Sequence, residues 1–313
     1  MIADDKVIPR RSFIRAAAPC LAIGLHRFFT AEGLAAPGRS IQISFADSRA
    51  QLLELINIER GLAGVPTVEL DELGCEVESR HALDMVTGSF LSHWSSDGLK
   101  PYHRYSFAGG TDYTTENVSA TYDIPWLKPD RVAAEFINMN IRMHSESPPN
   151  DGHRRAILGK EATHLGLGMA LQGNSLRLAE IFIARYAQIE QLPRQAKPKT
   201  KLVVKGKLLN RKHILQHADV FYEPLPIPDR SRLTAGQHYS LPGEFVTLRP
   251  ILALRMIYAD GSTGTIDVDS HGEFRVPITL FKDQPGIYTI VIWIKRRQNE
   301  QAFPATEICI RAA

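Results

Sequence analysis

The sequence predicts an α+β protein in which a mixed domain of helices and strands precedes an all-β domain. Three observations predict it: apolar residues keep helical spacing as far as residue 145, strand-like apolar runs occupy 163–186, and short strands separated by turn residues fill 202–313. A chain of 313 residues with 44% apolar and 23% charged residues is long enough for two domains.

The first 35 residues resemble an export signal. Arg10 and Arg11 form a twin-arginine-like motif, an Ala/Leu/Ile-rich stretch follows at 16–25, and small residues precede a predicted cut after Ala35. The apolar stretch is too short to remain as a transmembrane anchor. The alternative is a disordered basic leader. Without these residues the chain holds 32 basic and 31 acidic residues, a balance that argues against a nucleic-acid partner.

Export by the twin-arginine route delivers a folded protein. We therefore expect Cys75 and Cys309, which lie in different predicted domains, to be free buried thiols rather than a disulfide. The expected location is the periplasm or the cell exterior, and the sequence does not choose between them.

Two helices open the first domain. The first runs from Asp47 or Ser48 to about Arg60, where Gly61 supplies a left-handed stop. The second begins near Asp71 and carries His81 among core-facing positions. A histidine in such a place is more often a packed core residue than a ligand, so we leave it out of the candidate site.

The stretch between Ser92 and His153 concentrates the polar residues that could do chemistry. His93 and Glu116 are separated by a polar, glycine-rich segment, and this segment predicts a long loop that shapes a groove. Arg104 and two tyrosines fall on that loop.

A third helix is predicted from Arg131 to about Ser145. Val132, Phe136, Met139 and Met143 share one face. Glu146 continues this stripe and Glu135 lies beside it, so either carboxylate could edge a pocket under the helix. The turn at 148–152 then presents His153 on a new element.

Strands follow at 163–169 and 176–186, and the second is apolar enough to be a central strand. A Pro- and Lys/Arg-rich stretch, 188–201, is a predicted linker. Beyond it, 202–313 predict a β-sandwich of immunoglobulin-like layout. Its predicted strands are 202–208, 220–222, 245–248, 253–258, 265–268, 274–280, 287–295 and 307–311.

Three motifs in order resemble the CAP superfamily, which includes the cysteine-rich secretory, antigen 5 and pathogenesis-related proteins. They are S-H-x-x-x-D-G at His93, the pair Glu116-Asn117, and S-P-x-x-x-G-H-R-R-x-I-L at His153. The likeness is to exported bacterial members and covers 46–187. It implies an α-β-α sandwich, with a cavity lined by two histidines and two glutamates.

Carried over by motif, His93, Glu116 and His153 match three corners of that cavity. Glu146 is the favoured fourth corner and Glu135 the alternative. Two neutral imidazoles and a carboxylate suit a divalent metal such as zinc, so His93 and His153 are the candidate metal ligands.

Two functions of different classes follow. The first is an exported protein whose cavity binds a divalent metal, a hydrophobic ligand or envelope-derived material, with the second domain docking to the cell envelope or to a protein partner. The alternative is a metal-dependent, peptidase-like hydrolase acting outside the cytoplasm. A small molecule, a lipid and a peptide all stay open as ligands, and no catalytic residue is assigned.

Overall fold

The computed structural model describes residues 45–124, 128–252 and 256–313. The predicted export signal, 1–35, lies outside them. In the described part of the chain, no helix has both the length and the apolar content to cross a bilayer. The first domain contains α1 (Phe45–Leu62), β1 (Glu69–Leu70), α2 (Glu72–Thr87), α3 (Pro101–Phe107), β2 (Tyr113–Thr121), α4 (Pro129–His144), α5 (Gly152–Ile157), β3 (His164–Gln172) and β4 (Ser175–Ala184).

A four-stranded sheet of order β1-β3-β4-β2 divides this domain into three layers. Side chains alternate along a strand, and β4 is buried on both faces. Leu178 and Phe182 pack with α1, α4 and α5, whereas Ile181 and Ile183 pack with α2 and α3. The predicted α-β-α sandwich is therefore confirmed.

Helix α2 lies directly against β3 because that strand carries glycines at the contact. A Cβ on Gly168 would lie 2.0 Å from the carbonyl carbon of Glu78, and one on Gly166 would lie 2.3 Å from that of Gly74. No other residue permits this approach without moving the helix. The contact holds the Glu78 side chain inside the domain.

The prediction of a long loop after His93 is wrong in part, because α3 occupies residues 101–107. Pro101 stands at its first turn, where proline is tolerated. Tyr102 and Tyr105 are both 1% exposed, so they are core residues rather than groove-lining ones. His81 is a core residue, as expected, and its Nε2 lies 2.9 Å from the carbonyl oxygen of Ser92.

The second domain contains β5 (Ala187–Ile189), β6 (Gln195–Ala196), β7 (Lys201–Leu208), β8 (Ile214–Pro224), β9 (Glu244–Leu248), β10 (Asp267–Val268), β11 (Glu273–Thr279), β12 (Gly286–Lys295), β13 (Phe303–Pro304) and β14 (Ile308–Ala312). One sheet has the order β10-β11-β7-β5, and the other the order β6-β14-β12-β8-β9 with β13 beside β12.

Apolar residues from both of these sheets form one buried core, so the predicted all-β sandwich is confirmed. The predicted strand 253–258 is not confirmed. Residues 253–255 lie outside the described residues, and residues 256–258 are not in a strand.

The stretch predicted as a linker, 188–201, contributes to both sheets of the sandwich. It holds most of β5, which pairs with β7, and all of β6, which pairs with β14. The sandwich also packs on the first domain, and the described residues of the two domains form one compact unit. Arg194 donates to the carbonyl oxygens of Gly109 and Gly110, and Glu223 accepts from Lys100 and His103.

Candidate functional site

The first histidine–glutamate pair joins the segment after α2 to the edge strand β2. His93 Nδ1 donates to Glu116 Oε2 at 2.7 Å, and the carboxylate is completely buried. Burial, and next the charge of Arg104, lower the pKa of His93 to about 4. The ring is therefore neutral at pH 7, with its proton on Nδ1 and a lone pair on Nε2.

Arg104, on α3, fixes this pair from one side. One guanidinium nitrogen bonds the Glu116 carboxylate, and the other donates to the His93 carbonyl oxygen at 2.7 Å. The side chain thus holds both members in position. Arg104 falls on the loop predicted from the sequence, where no local pattern marks this role.

Glu78 is a site residue that the sequence analysis missed. Its side chain is 0% exposed, and among the described residues no donor group bonds either of its carboxyl oxygens. Burial and the neighbouring Glu116 carboxylate raise its pKa well above the ordinary value, whereas burial raises the pKa of Glu116 to about 7. Because one Arg104 cannot balance two buried anions, we expect Glu78 to carry a proton at neutral pH.

A signal for Glu78 exists in the sequence. It lies three residues before His81 and four before Ala82, on the buried face of α2. A carboxyl group at a core-facing helical position is uncommon unless it has a partner. Only the fold, however, shows that the partner is a residue of β2.

The second histidine–glutamate pair lies where α4 gives way to α5. Glu146 Oε1 is 2.5 Å from His153 Nδ1, and Glu146 Oε2 accepts from the His153 backbone amide at 3.0 Å. The two side chains are 24% and 35% exposed, so this pair is open to solvent. The alternative corner, Glu135, instead bonds Thr121 and Arg142 and does not reach His153.

Strand β2 connects the two pairs. Glu116 faces the layer of α2 and α3, and the next residue, Asn117, faces the layer of α4 and α5. Asn117 Nδ2 lies 3.2 Å from both the His153 carbonyl oxygen and Glu180 Oε2. The two pairs are therefore attached to consecutive residues of one edge strand.

Few side-chain atoms of the two pairs remain free to bind a metal ion. Both glutamates are turned toward imidazole Nδ1 atoms, and Glu116 is also bonded to Arg104. In the ranges that the structure describes, no group of three or more His, Cys, Asp or Glu side chains is arranged to hold a metal ion. What remains is the Nε2 atom of each of the two imidazoles.

An apolar cavity of about 470 Å³ adjoins β2 and lies between the two domains. The first domain contributes residues of β2, β4 and α5, and the second contributes Phe303 and Pro304. Its apolar wall consists of Ala156, Ala162, Phe182, Ala184, Phe303 and Pro304. Glu116 and Gly152 also line it, so the cavity touches the segments that carry both pairs.

The second domain also covers the first pair directly. Tyr239 packs edge-on against the His93 ring, with the ring centroids 4.9 Å apart, and its hydroxyl oxygen accepts from the Glu116 backbone amide at 2.9 Å. Tyr239 is therefore a site residue from the second domain, where none is predicted from the sequence.

Comparison with known proteins identifies the family. Residues 53–186 match the model of the CAP family, described as the cysteine-rich secretory protein family. The first domain is therefore a CAP domain, and the resemblance drawn from the three motifs is confirmed.

A curated relative is the uncharacterized membrane protein YlbC of Bacillus subtilis (strain 168), with 26% identity over 122 residues. The match covers 39% of this chain and 31% of YlbC, so this chain spans about a third of the length of that relative.

Two solved structures are similar. An outer surface protein from Borrelia burgdorferi is 17% identical with a TM-score of 0.36, and the match covers 46% of this chain and 96% of that protein. An extracellular protein containing an SCP domain from Bacillus anthracis str. Ames is 24% identical with a TM-score of 0.35; the match covers 49% of this chain and 45% of that one.

Proposed function

We propose that this chain is an exported binding protein whose CAP domain and sandwich domain together hold an apolar ligand beside the two histidine–glutamate pairs. The observation that carries the proposal is the cavity between α5, β2, β4 and β13. Its volume of about 470 Å³ lies within the range of small-molecule sites, and its wall is mainly apolar with polar groups at the rim.

The polar rim defines what the ligand needs. Arg155 and Glu161 lie at the cavity, and Thr115 adds a hydroxyl group from β2. A ligand with an apolar body and a polar end fits this arrangement, because the body replaces water against Phe182 and Phe303 while the end keeps its hydrogen bonds. An acyl chain or another apolar envelope component belongs to this class.

The test is the binding of N-phenyl-1-naphthylamine, an uncharged dye that fluoresces in apolar sites. Replacing Ala156 by Trp fills the cavity, and we expect dye affinity to fall at least about tenfold. The matched control is Leu83→Trp on the 55% exposed face of α2, which leaves the cavity as it is. Equal affinity in the wild type and in Ala156→Trp would reject the cavity as the binding site.

Metal binding is the second candidate, and a different observation favours it. His93 and His153 each direct Nδ1 at a glutamate, which is how metal-ligating histidines are commonly oriented, and each leaves Nε2 for an ion. A divalent ion held there would supply Lewis-acid activation of a bound water, as the hydrolase alternative requires. Two protein ligands make a weaker site than the three or four of established zinc centres, which is why the apolar ligand stands first.

Metal analysis of the purified protein, together with His93→Ala and His153→Ala variants, separates the two candidates. Stoichiometric metal that both substitutions remove, together with peptide hydrolysis that depends on it, would establish the hydrolase. His271→Ala, at an exposed position of the second domain, is the control. Apolar material that copurifies with the protein, without metal or turnover, is the result that the binding proposal expects.

Export itself is tested by the N-terminal sequence of the mature protein. We expect processing after Ala35, and we expect Arg10→Lys with Arg11→Lys to retain the precursor in the cytoplasm. In the described part of the chain Cys75 and Cys309 are free and buried, as expected from the sequence, and a protein that folds before export needs no disulfide between them. Precursor that is processed normally in the double variant would reject the twin-arginine route.

A further inference from the structure

Side chains of the second domain bond the outer edge of β2 beside His93. Backbone amides on the outer edge of a sheet ordinarily bind water or another strand. Here the Thr114 amide donates to Glu307 Oε2 at 2.8 Å, and the Glu116 amide, two residues further on, donates to the Tyr239 hydroxyl oxygen at 2.9 Å. Side chains of the second domain therefore take both positions where a neighbouring strand would place carbonyl oxygens.

We propose that the Glu116 amide is a binding subsite for an uncharged ligand oxygen, a hydroxyl or a carbonyl, and that Tyr239 occupies this subsite as a gate over His93. The subsite deepens the binding function proposed above and rests on it. A ligand that reaches the His93 ring from this side displaces the Tyr239 ring and takes over its hydrogen bond.

The segment that carries Tyr239 is suited to movement. We call residues 225–243, which connect β8 to β9, the strap. Most of the strap is exposed to solvent, and Ile227 is 79% exposed. Prolines at 226, 228 and 242 and a glycine at 243 mark its two ends. The prolines restrict backbone rotation, so the segment between them moves as a unit, and Gly243 is the end position that can absorb a backbone rotation.

Hydrogen bonds and apolar contacts at several places hold the strap on the first domain, and Leu225, Tyr239 and Leu241 pack against a buried cluster that contains Tyr102. Ser92 Oγ donates to the Arg232 carbonyl oxygen at 2.6 Å, and Lys100 Nζ donates to that of Ser240 at 3.1 Å. Leu233 packs against a small apolar cluster that includes Val118 of β2. Tyr239 is the strap residue that contacts both His93 and Glu116, so it decides whether the pair is covered.

The charges around the Glu116 amide favour an uncharged ligand group in place of the Tyr239 hydroxyl. Burial, and then the negative charge of Glu116, raise the pKa of the Tyr239 hydroxyl well above its ordinary value. The same two causes disfavour an anionic ligand at this position. A neutral oxygen is therefore favoured over a carboxylate or a phosphate, and it must stand on an apolar ring or chain because the group also replaces the phenol ring against His93.

The gate is tested with diethyl pyrocarbonate, which acylates accessible neutral imidazoles, followed by mass spectrometry of the peptides. His93 is 13% exposed and His153 is 35% exposed, so His153 serves as an internal reference within the same molecule. We expect Tyr239→Ala to speed His93 modification more than about tenfold. Tyr239→Phe, which loses only the hydrogen bond, should speed it about fivefold.

The matched control is Tyr258→Phe, which removes a hydroxyl group that bonds the Pro250 carbonyl oxygen elsewhere in the second domain. This variant should leave both rates unchanged, and His153 should react equally in every variant. A His93 rate in Tyr239→Ala equal to that of the wild type would overturn the gate.

The subsite is tested in the same Tyr239→Ala variant by restoring the missing group from solution. p-Cresol should protect His93 at about fivefold lower concentration than toluene, which lacks the oxygen, and p-toluate should protect least. Toluene as effective as p-cresol, or p-toluate the most effective, would overturn the neutral-oxygen subsite. Dye binding in the apolar cavity is measured separately, so a failure of the subsite is distinguished from a failure of the binding function on which it rests.

Discussion

Glu307 offers the sharpest test of how the second domain supports the candidate site. It is 3% exposed, and its Oε2 accepts from both the amide and the hydroxyl group of Thr114 on β2, at 2.8 and 2.9 Å. Burial raises its pKa to about 8. Glu307→Gln keeps the shape and the acceptor oxygen but removes the group that titrates.

The sign of the effect follows from proton linkage. In the unfolded chain the carboxyl group releases its proton near pH 4.5, whereas in the folded chain it does so near 8. Between these values the folded state holds a proton that the unfolded state has lost. The stabilisation from Glu307 is therefore complete below pH 4.5 and is lost as the pH rises through 8. A gap of about 3.5 pH units corresponds to ~4.8 kcal/mol at most.

We expect wild type and Glu307→Gln to have similar free energies of unfolding at about pH 5, since both side chains are then neutral and accept the same hydrogen bonds. At about pH 9 the variant should be the more stable by up to ~4.8 kcal/mol. Urea denaturation across this pH range measures the difference, and contributions from other titrating groups cancel between the two proteins. Glu273→Gln, with a side chain 65% exposed, should show no such trend. Parallel curves for wild type and Glu307→Gln would refute the buried neutral carboxyl group.

Three further predictions concern the first domain. Glu78→Gln replaces a neutral carboxyl group by a neutral amide that can still donate a hydrogen bond. Urea denaturation at about pH 5 should therefore show a change in the free energy of unfolding below ~1 kcal/mol. A decrease of that free energy by more than ~2 kcal/mol would mean that Glu78 is ionised in the folded protein. Phe136→Ala empties a position that is 0% exposed and should cost about 3–5 kcal/mol by the same measurement, whereas Phe245→Ala, at 50% exposure, should cost less than ~1 kcal/mol. Gly168→Ala places a Cβ 2.0 Å from the α2 backbone and should lower the melting temperature strongly or prevent folding. Gly61→Ala, with open space around the new Cβ, should do neither. A soluble Gly168→Ala variant with a wild-type melting temperature would contradict the close packing of α2 on β3.

The regular elements could be predicted because their spacing repeats over several turns. Val132, Phe136, Met139 and Met143 are all at most 4% exposed, as their helical period indicated. Helix α3 escaped prediction because seven residues give too few turns for a period, and its polar neighbours suggested a loop. The alternation on β4 was hidden for a related reason: both of its faces are buried, so the run is apolar throughout.

The same difference separates the site residues that could be predicted from the sequence from those that could not. The motifs placed His93, Glu116 and His153, and the continuing stripe of α4 pointed to Glu146, because each of these signals is local in the sequence. Tyr239 lies more than a hundred residues from both His93 and Glu116, and no local pattern marks it. Contacts of that kind come from the packing of one domain on another, which a single sequence does not encode in its periodicity.

Strand β2 explains why the site and the domain interface belong together. One face of the strand carries Glu116 and the network around it, the other carries Asn117 and its bond to the His153 carbonyl oxygen, and the outer edge is taken by Glu307 and Tyr239. A strand held on both faces and at its edge cannot shift at one contact without moving the others. Loosening the Glu307 contact should therefore alter the environment of His93, whose partner Glu116 lies two residues along the edge from Thr114, while a variant of an exposed sandwich residue should not. The imidazole NMR signals of His93, compared between Glu307→Gln and the wild type at the same alkaline pH, would show whether the sandwich domain acts on the site or only lies beside it.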